Sequence, residues 1–136
     1  IMVGFAGETE EEFQQSLAFA REIAFAKVHV FPYSQRPGTR AADFPGQIQK
    51  SEKENRCHQM IAVTQETRRA FLQQQVGRTE PVLFERRREN GALEGYTPNY
   101  TSVLVSSAEE LTGKILPVKV TEALEDSCRG TLTGQL

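Results

Sequence analysis

Two cysteines, Cys57 and Cys128, and two histidines, His29 and His58, are the side chains of this 136-residue chain best suited to metal binding or nucleophilic attack. Their spacing suits neither. The cysteines lie seventy-one positions apart and no CxxC or CxxxCxxC run exists, so local spacing builds neither a zinc site nor an iron–sulfur cluster. They read as ordinary half-buried residues, and lone thiols suit a reducing, cytoplasmic compartment. No nucleophile–base pair or diagnostically spaced carboxylate pair accompanies them, so catalysis does not follow from these residues.

Three other groupings carry possible binding chemistry. The turn Gly4-Phe5-Ala6-Gly7 precedes a helix and has the outline of a phosphate cradle, but Glu8, Glu10, Glu11 and Glu12 crowd the helix start and would repel an anion. Tyr33, Arg36, Gly38 and Thr39 share one loop, where Arg36 offers a planar fork for phosphate or carboxylate and Tyr33 a stacking face. The competing reading is a rigid loop whose prolines fix its path and whose arginine pairs with an acid. Arg86-Arg87-Arg88 leads into a hairpin tip, with Lys114 and Lys119 later and Tyr96 and Tyr100 available to stack bases. These basic residues either grip an RNA backbone or protect an exposed hairpin, and Glu85 and Glu89 flank and partly neutralise them.

The elements that must position these groups follow from periodicity. Residues 1–5 read as a buried strand. Thr9-x-x-Glu12 is a capping box, and Phe13, Leu17, Ala20 and Ala24 mark one buried face of the helix it opens. Residues 27–31 form a second strand, giving the spacing of a parallel βαβ unit. The loop carrying Tyr33 and Arg36 follows at that strand's carboxy end, where sites form in open sheets and barrels. Ser51-x-x-Glu54 opens a long helix to Gln75, with a weak stripe of Cys57, Ile61, Thr64 and Phe71 and a stop at Gly77. Beyond Arg78 the pattern turns to short strands: 79–86, a hairpin at Asn90-Gly91, 92–96, 101–105, 115–121 and 131–136. Five strands in about sixty residues suggest a small OB-like closed barrel. The fold class is therefore α/β followed by all-β, with residues 1–75 as one part and 76–136 as the other.

Composition sets the bounds. Hydrophobic residues make up 38% and charged residues 25%, which places the chain among globular proteins. Formal net charge is −2, with nine basic and nine acidic residues up to Gln75 and seven and nine beyond it. Contact with RNA must then come from a local patch. No stretch approaches the ~18–20 apolar residues of a membrane span. The chain opens inside a strand without an initiator methionine, so it is expected to be truncated, with barrel partners upstream. Marginal stability of residues 1–45 is expected, because two strands leave open edges.

Residues 1–9 (Ile-Met-Val-Gly-Phe-Ala-Gly-Glu-Thr), 29–41 (His-Val-Phe-Pro-Tyr-Ser-Gln-Arg-Pro-Gly-Thr-Arg-Ala) and 95–100 (Gly-Tyr-Thr-Pro-Asn-Tyr), read in order, resemble the carboxy-terminal half of radical-SAM methylthiotransferases, including a terminal TRAM domain. The likeness runs essentially from end to end. Arg36-Pro37 before Gly38-Thr39 is similar to the tRNA-modifying branches rather than to the branch acting on a ribosomal protein. Residues 29–33 and 95–100 look more like the enzyme for threonylcarbamoyladenosine than the one for isopentenyladenosine, which stands as the alternative. Ala6 departs from the family's usual proline.

The resemblance implies the last strands and helices of a partial TIM-like barrel, a linker helix and an RNA-binding TRAM barrel. It implies a parent enzyme that adds a methylthio group to carbon 2 of a modified adenosine next to the anticodon, using S-adenosylmethionine and two 4Fe-4S clusters held by upstream cysteines. This chain itself would then be inactive and limited to tRNA docking. Gly4, Gly7 and Glu8 would sit near the cofactor, Tyr33, Arg36, Gly38 and Thr39 near the substrate, and Arg86, Arg87, Arg88, Tyr96, Asn99, Tyr100 and Lys114 against tRNA. A different reading of the same elements is a non-catalytic nucleic-acid or protein interaction module.

Overall fold

A computed structural model describes residues 1–134, which divide into two compact units, 1–68 and 69 onward. In the first unit, β1 (Met2–Val3) pairs in parallel with β2 (Phe31–Pro32), and α1 (Glu10–Ile23) connects them. The capping box forms as its residue types require: the Thr9 hydroxyl accepts from the Glu12 amide, and the Glu12 carboxylate accepts from the Thr9 amide, both at 3.1 Å. Phe13, Leu17 and Ala20 are buried against Val3 and against Cys57, Met60 and Val63 of α2 (Lys50–Gln75). Ala24 does not extend the buried stripe. It caps α1 in a left-handed conformation (φ 56°), its amide bonded to the Ala20 carbonyl.

In the first unit the boundaries differ from the periodicity, beginning with β1, which is Met2–Val3 rather than a buried strand over 1–5, with Ile1 and Met2 exposed and Val3 buried. The second strand is Phe31–Pro32 rather than 27–31, because a parallel ladder extends only where β1 faces it, and β1 is two residues long. The long helix starts at Lys50, so Ser51 lies inside its first turn and not at the cap. The buried face of α2 is Arg56, Cys57, Met60, Val63, Thr64 and Thr67 in the first unit and Leu72 and Gln75 in the second. Ile61 is exposed and Phe71 is partly buried. The stripe was hard to read because polar side chains occupy half of it.

The second unit is a closed five-stranded barrel. β3 (Thr79–Arg87), β4 (Leu93–Tyr96), β5 (Ser102–Val105), β6 (Ile115–Ala123) and β7 (Cys128–Leu132) run in the order β3-β4-β5-β7-β6, and only the β5–β7 pairing is parallel. Alternation drives the closure: Val82, Phe84, Leu93, Val103, Val105, Val118, Val120 and Cys128 all point inward, and Leu72 of α2 covers the core. The last strand begins at Cys128, three residues before the sequence reading placed it. Arg129 and Thr131 face out while Gly130 sits inside, so the strand lacks a hydrophobic signature. Residues 135 and 136, also assigned to that strand from sequence, lie outside the described residues.

Glycine makes the closure possible at two points. A Cβ on Gly95 would lie 2.5 Å from the Leu83 carbonyl oxygen, and one on Gly130 would lie 2.5 Å from Val118 Cγ1 and 2.9 Å from the Lys119 carbonyl oxygen. Neighbouring strands approach too closely there for any side chain.

Candidate nucleic-acid interface

The outer face of the barrel near the β3–β4 hairpin collects most of the polar residues singled out in the sequence. Asn90-Gly91 makes the turn, with the Gly91 amide bonded to the Arg88 carbonyl and the Arg88 amide to the Ala92 carbonyl. The same register runs on to place Arg87 opposite Leu93 and Arg86 opposite Glu94, and a bulge at Glu85 shifts it only beyond that point, where Phe84 faces Gly95. Glu94 is 2% exposed. Arg86 Nε donates to its Oε2 at 2.6 Å, Arg88 Nη2 to its Oε1 at 2.7 Å and Ser102 Oγ to Oε1 at 3.2 Å.

This single carboxylate orders two arginines. The Arg88 guanidinium, then Arg86 and Ser102, hold the Glu94 carboxyl down at about 2 against the upward push of burial. Glu94 also raises the Arg88 pKa, mainly through the same hydrogen bond. The cluster therefore carries a net positive charge whatever the physiological pH. Arg86 keeps a side chain 67% exposed, and its Nη groups have no partner among the described residues. It presents a fixed, unspent fork of the kind that binds phosphate oxygens.

Arg87 has a different task. Its Nη1 donates to the carbonyls of Gly91 at 2.7 Å and Ser107 at 2.9 Å, and its Nη2 to that of Glu109 at 2.7 Å. It ties the hairpin to the loop after β5. The three consecutive arginines thus split into one brace and two residues held by Glu94. Lys114 is exposed at the start of β6, its carbonyl accepting from the Phe84 amide.

The tyrosines lie on the same outer face. Tyr96 is two residues from Glu94 along β4, and its ring meets that of Tyr100 at a centroid distance of 5.7 Å. Tyr100 is 85% exposed and holds a left-handed backbone (φ 67°). Asn99 fixes that loop: its Oδ1 accepts from the hydroxyls of Thr97 and Thr101 at 2.6 and 2.7 Å, and its Nδ2 donates to Gln75 Oε1 at 3.1 Å. Asn99 is thereby a brace for Tyr100.

In the first unit the polar groups turn inward. Gly4 and Gly7 both adopt positive φ, but the Gly4 amide donates to Glu8 Oε1 at 3.0 Å and the Gly7 amide to the Gly46 carbonyl at 2.9 Å. Glu8 in turn accepts from Arg56 at 2.8 Å, and Arg56, with a side chain 7% exposed, also binds Glu52. The turn's amide donors and the Glu8 carboxylate are engaged inside the unit. Tyr33 is buried edge-on to Phe5, while Arg36 and Thr39 are exposed, the Thr39 hydroxyl donating to the Arg36 carbonyl at 2.8 Å. The loop therefore presents Arg36 outward without Tyr33 beside it.

Among the described residues no three His, Cys, Asp or Glu side chains converge to hold a metal. Cys57 and Cys128 are both buried and belong to different units, and burial, with Glu54 nearby, pushes the Cys57 thiol up. These residues do not fit an iron–sulfur cluster. No helix among the described residues is long and apolar enough to cross a membrane.

The barrel matches a known family. The TRAM domain model covers residues 73–133. Threonylcarbamoyladenosine tRNA methylthiotransferase MtaB of Bacillus subtilis (strain 168) is 36% identical over 127 residues, 90% of this chain and 28% of that protein. Residues 73–133 thus carry a TRAM domain, and over most of its length the chain is similar to proteins named as tRNA methylthiotransferases. Proteins named tRNA-2-methylthio-N(6)-dimethylallyladenosine synthase from Syntrophotalea carbinolica and Maricaulis maris are 38% and 37% identical over 96% and 98% of this chain, and each is covered over 30% of its own length. The chain spans less than a third of the length of these curated relatives.

Sequence reasoning missed Glu94, which organises the TRAM barrel's outer face, and credited Glu85 and Glu89 with neutralising the arginines. Pairing outward from the Asn90-Gly91 turn places Arg86 opposite Glu94 and was the signal that could have found it. The role of Arg56 was also missed, since a buried arginine in a polar helix leaves no periodic trace.

Proposed function

We propose that this chain is the tRNA-docking, carboxy-terminal part of a cytoplasmic tRNA adenosine methylthiotransferase, and that its own contribution is binding rather than chemistry. The observation that carries the reading is the Arg86–Glu94–Arg88 cluster on the outer face of the TRAM barrel. A buried carboxylate holds two arginines there, and one guanidinium remains open to solvent. Such a fork binds a phosphate without first losing side-chain freedom. The names of the relatives, all tRNA-modifying, support RNA as the polyanion.

In the parent enzyme, S-adenosylmethionine and two 4Fe-4S clusters would supply the radical and sulfur chemistry from segments other than these residues. The substrate is adenosine next to the anticodon, methylthiolated at carbon 2. The threonylcarbamoyl form is favoured by the likeness of residues 29–33 and 95–100, while the dimethylallyl form stands as the alternative. The test is nucleoside analysis of tRNA from cells in which the region encoding this chain is deleted. Loss of a 2-methylthio-adenosine is expected, and the N6 substituent on its accumulated precursor identifies the branch. An unchanged set of 2-methylthio nucleosides would overturn the proposal.

A further inference from the structure

Beside the arginine cluster the barrel exposes a row of apolar side chains that its own core does not use. Leu83 pairs with Tyr96 on one side and with Ile115 on the other, so β4, β3 and β6 place three outward side chains in line. Leu83 is 40% exposed and Ile115 65% exposed. Tyr100 and Pro98 close one end of the row, and Glu85 lies along it, bounding an open groove of about 340 Å³. A monomeric barrel gains nothing from leaving an isoleucine, a leucine and a tyrosine in water together.

The next outward row on the same strands is Glu94–Arg86, about 7 Å away at the spacing of alternate strand residues. An apolar floor thus lies one step from a fixed cation, with Lys114 adjacent to Ile115 in sequence. That combination matches a nucleotide whose base is free of its partner: a π-face for the floor and a phosphate for the fork. A paired base cannot use the floor, because both its faces are covered within the stack. Glu85 disfavours a phosphate over the groove itself, leaving that end to a base edge or a ribose hydroxyl, both able to donate to a carboxylate.

We infer that the groove between Tyr100 and Ile115 stacks an unpaired base of an RNA loop while Arg86 holds an adjacent phosphate, so that the barrel selects loops over duplex. Tyr100 reaches this position only by accepting a left-handed backbone, which the Thr97–Asn99–Thr101 hydrogen bonds enforce. The inference rests on the proposed tRNA docking and adds which part of the RNA is gripped.

The test is a titration of the full 136-residue chain with two RNAs, a stem-loop carrying 2-aminopurine in its loop and a fully paired duplex of the same stem. Wild type is compared with Tyr100→Ala, Tyr100→Phe and Arg86→Ala. Tyr100→Ala is expected to weaken stem-loop binding about tenfold or more and to abolish the 2-aminopurine quench, with duplex binding unchanged. Tyr100→Phe keeps the ring and should retain both. Arg86→Ala should weaken both RNAs alike. Equal loss on both RNAs in Tyr100→Ala, or no loss on either, overturns the stacking groove and leaves docking intact, the latter result giving the groove to a protein surface. Failure of the wild type to bind either RNA overturns docking and groove together.

Discussion

Arg86 and Glu94 face each other across β3 and β4 at 2.6 Å, the arginine two-thirds exposed and the glutamate almost wholly buried. The asymmetry gives each a distinct role. Glu94 is a structural anion that the barrel tolerates because Arg86, Arg88 and Ser102 satisfy it, and Arg86 is the accessible end of that arrangement. Replacing Glu94 with alanine should therefore cost more stability than replacing Arg86. Removing one partner of a buried pair is worth roughly 3–5 kcal/mol, and the exposure of the arginines should bring this nearer 2–3 kcal/mol. Arg86→Ala leaves Arg88 and Ser102 on the carboxylate and should cost about 1 kcal/mol or less. Urea unfolding of the two variants checks the order.

The same carboxylate sets a pH dependence. Its pKa is about 2 in the folded chain against an ordinary value of 4.5, so folding favours the ionised form. That contribution is complete above about pH 5 and is lost as pH falls toward 2, amounting to up to about 3 kcal/mol. Thermal melts of wild type and Glu94→Gln between pH 7 and pH 2.5 should converge at the acid end, with the variant showing the flatter profile.

The close approaches at glycine make a sharper stability test. Gly95→Ala would place a methyl group 2.5 Å from a backbone oxygen that cannot rotate away. It should destabilise the barrel by about 2 kcal/mol or more through strand displacement. Gly134→Ala, where a Cβ meets nothing within 4 Å, should be close to neutral. Denaturation monitored on both variants separates packing from a general intolerance of alanine.

In the first unit the prediction concerns Arg56. Its guanidinium satisfies Glu8 and Glu52 and lies over the Phe13 ring at 5.5 Å. Arg56→Ala leaves Glu8 facing the Gly4 amide alone, and should cost about 2–4 kcal/mol. Amide exchange in residues 4–8 should rise while exchange in the barrel strands stays unchanged.

Much of this was legible in the sequence for reasons that can be named. The Thr9–Glu12 capping box, the Asn90-Gly91 turn and the alternation of Val82 and Phe84 are local rules that fix local structure, and all three appear as read. The resemblance to TRAM-bearing methylthiotransferases was carried by short motifs and is met by the TRAM match over residues 73–133 and by the similarity to proteins named as tRNA methylthiotransferases. Relationships between distant residues were not legible. Arg56 meets Glu8 forty-eight positions away, and Asn99 meets Gln75 twenty-four positions away. The final strand hid because a barrel interior that accepts Gly130 needs no hydrophobic residue there. Alternation along the strand sets Arg86 and Arg88 on one side and Arg87 on the other, but the buried Glu94 that the first two share and the loop that Arg87 braces are contacts with residues across the hairpin and beyond β5.

The central claim is that Arg86, held by Glu94, carries RNA docking by the barrel. The most direct measurement is the affinity of this chain for unmodified tRNA across a series of salt concentrations, for wild type and Arg86→Ala. The account predicts salt-dependent binding whose slope of log K against log salt falls by about one in the variant. An unchanged slope and affinity in Arg86→Ala would contradict it.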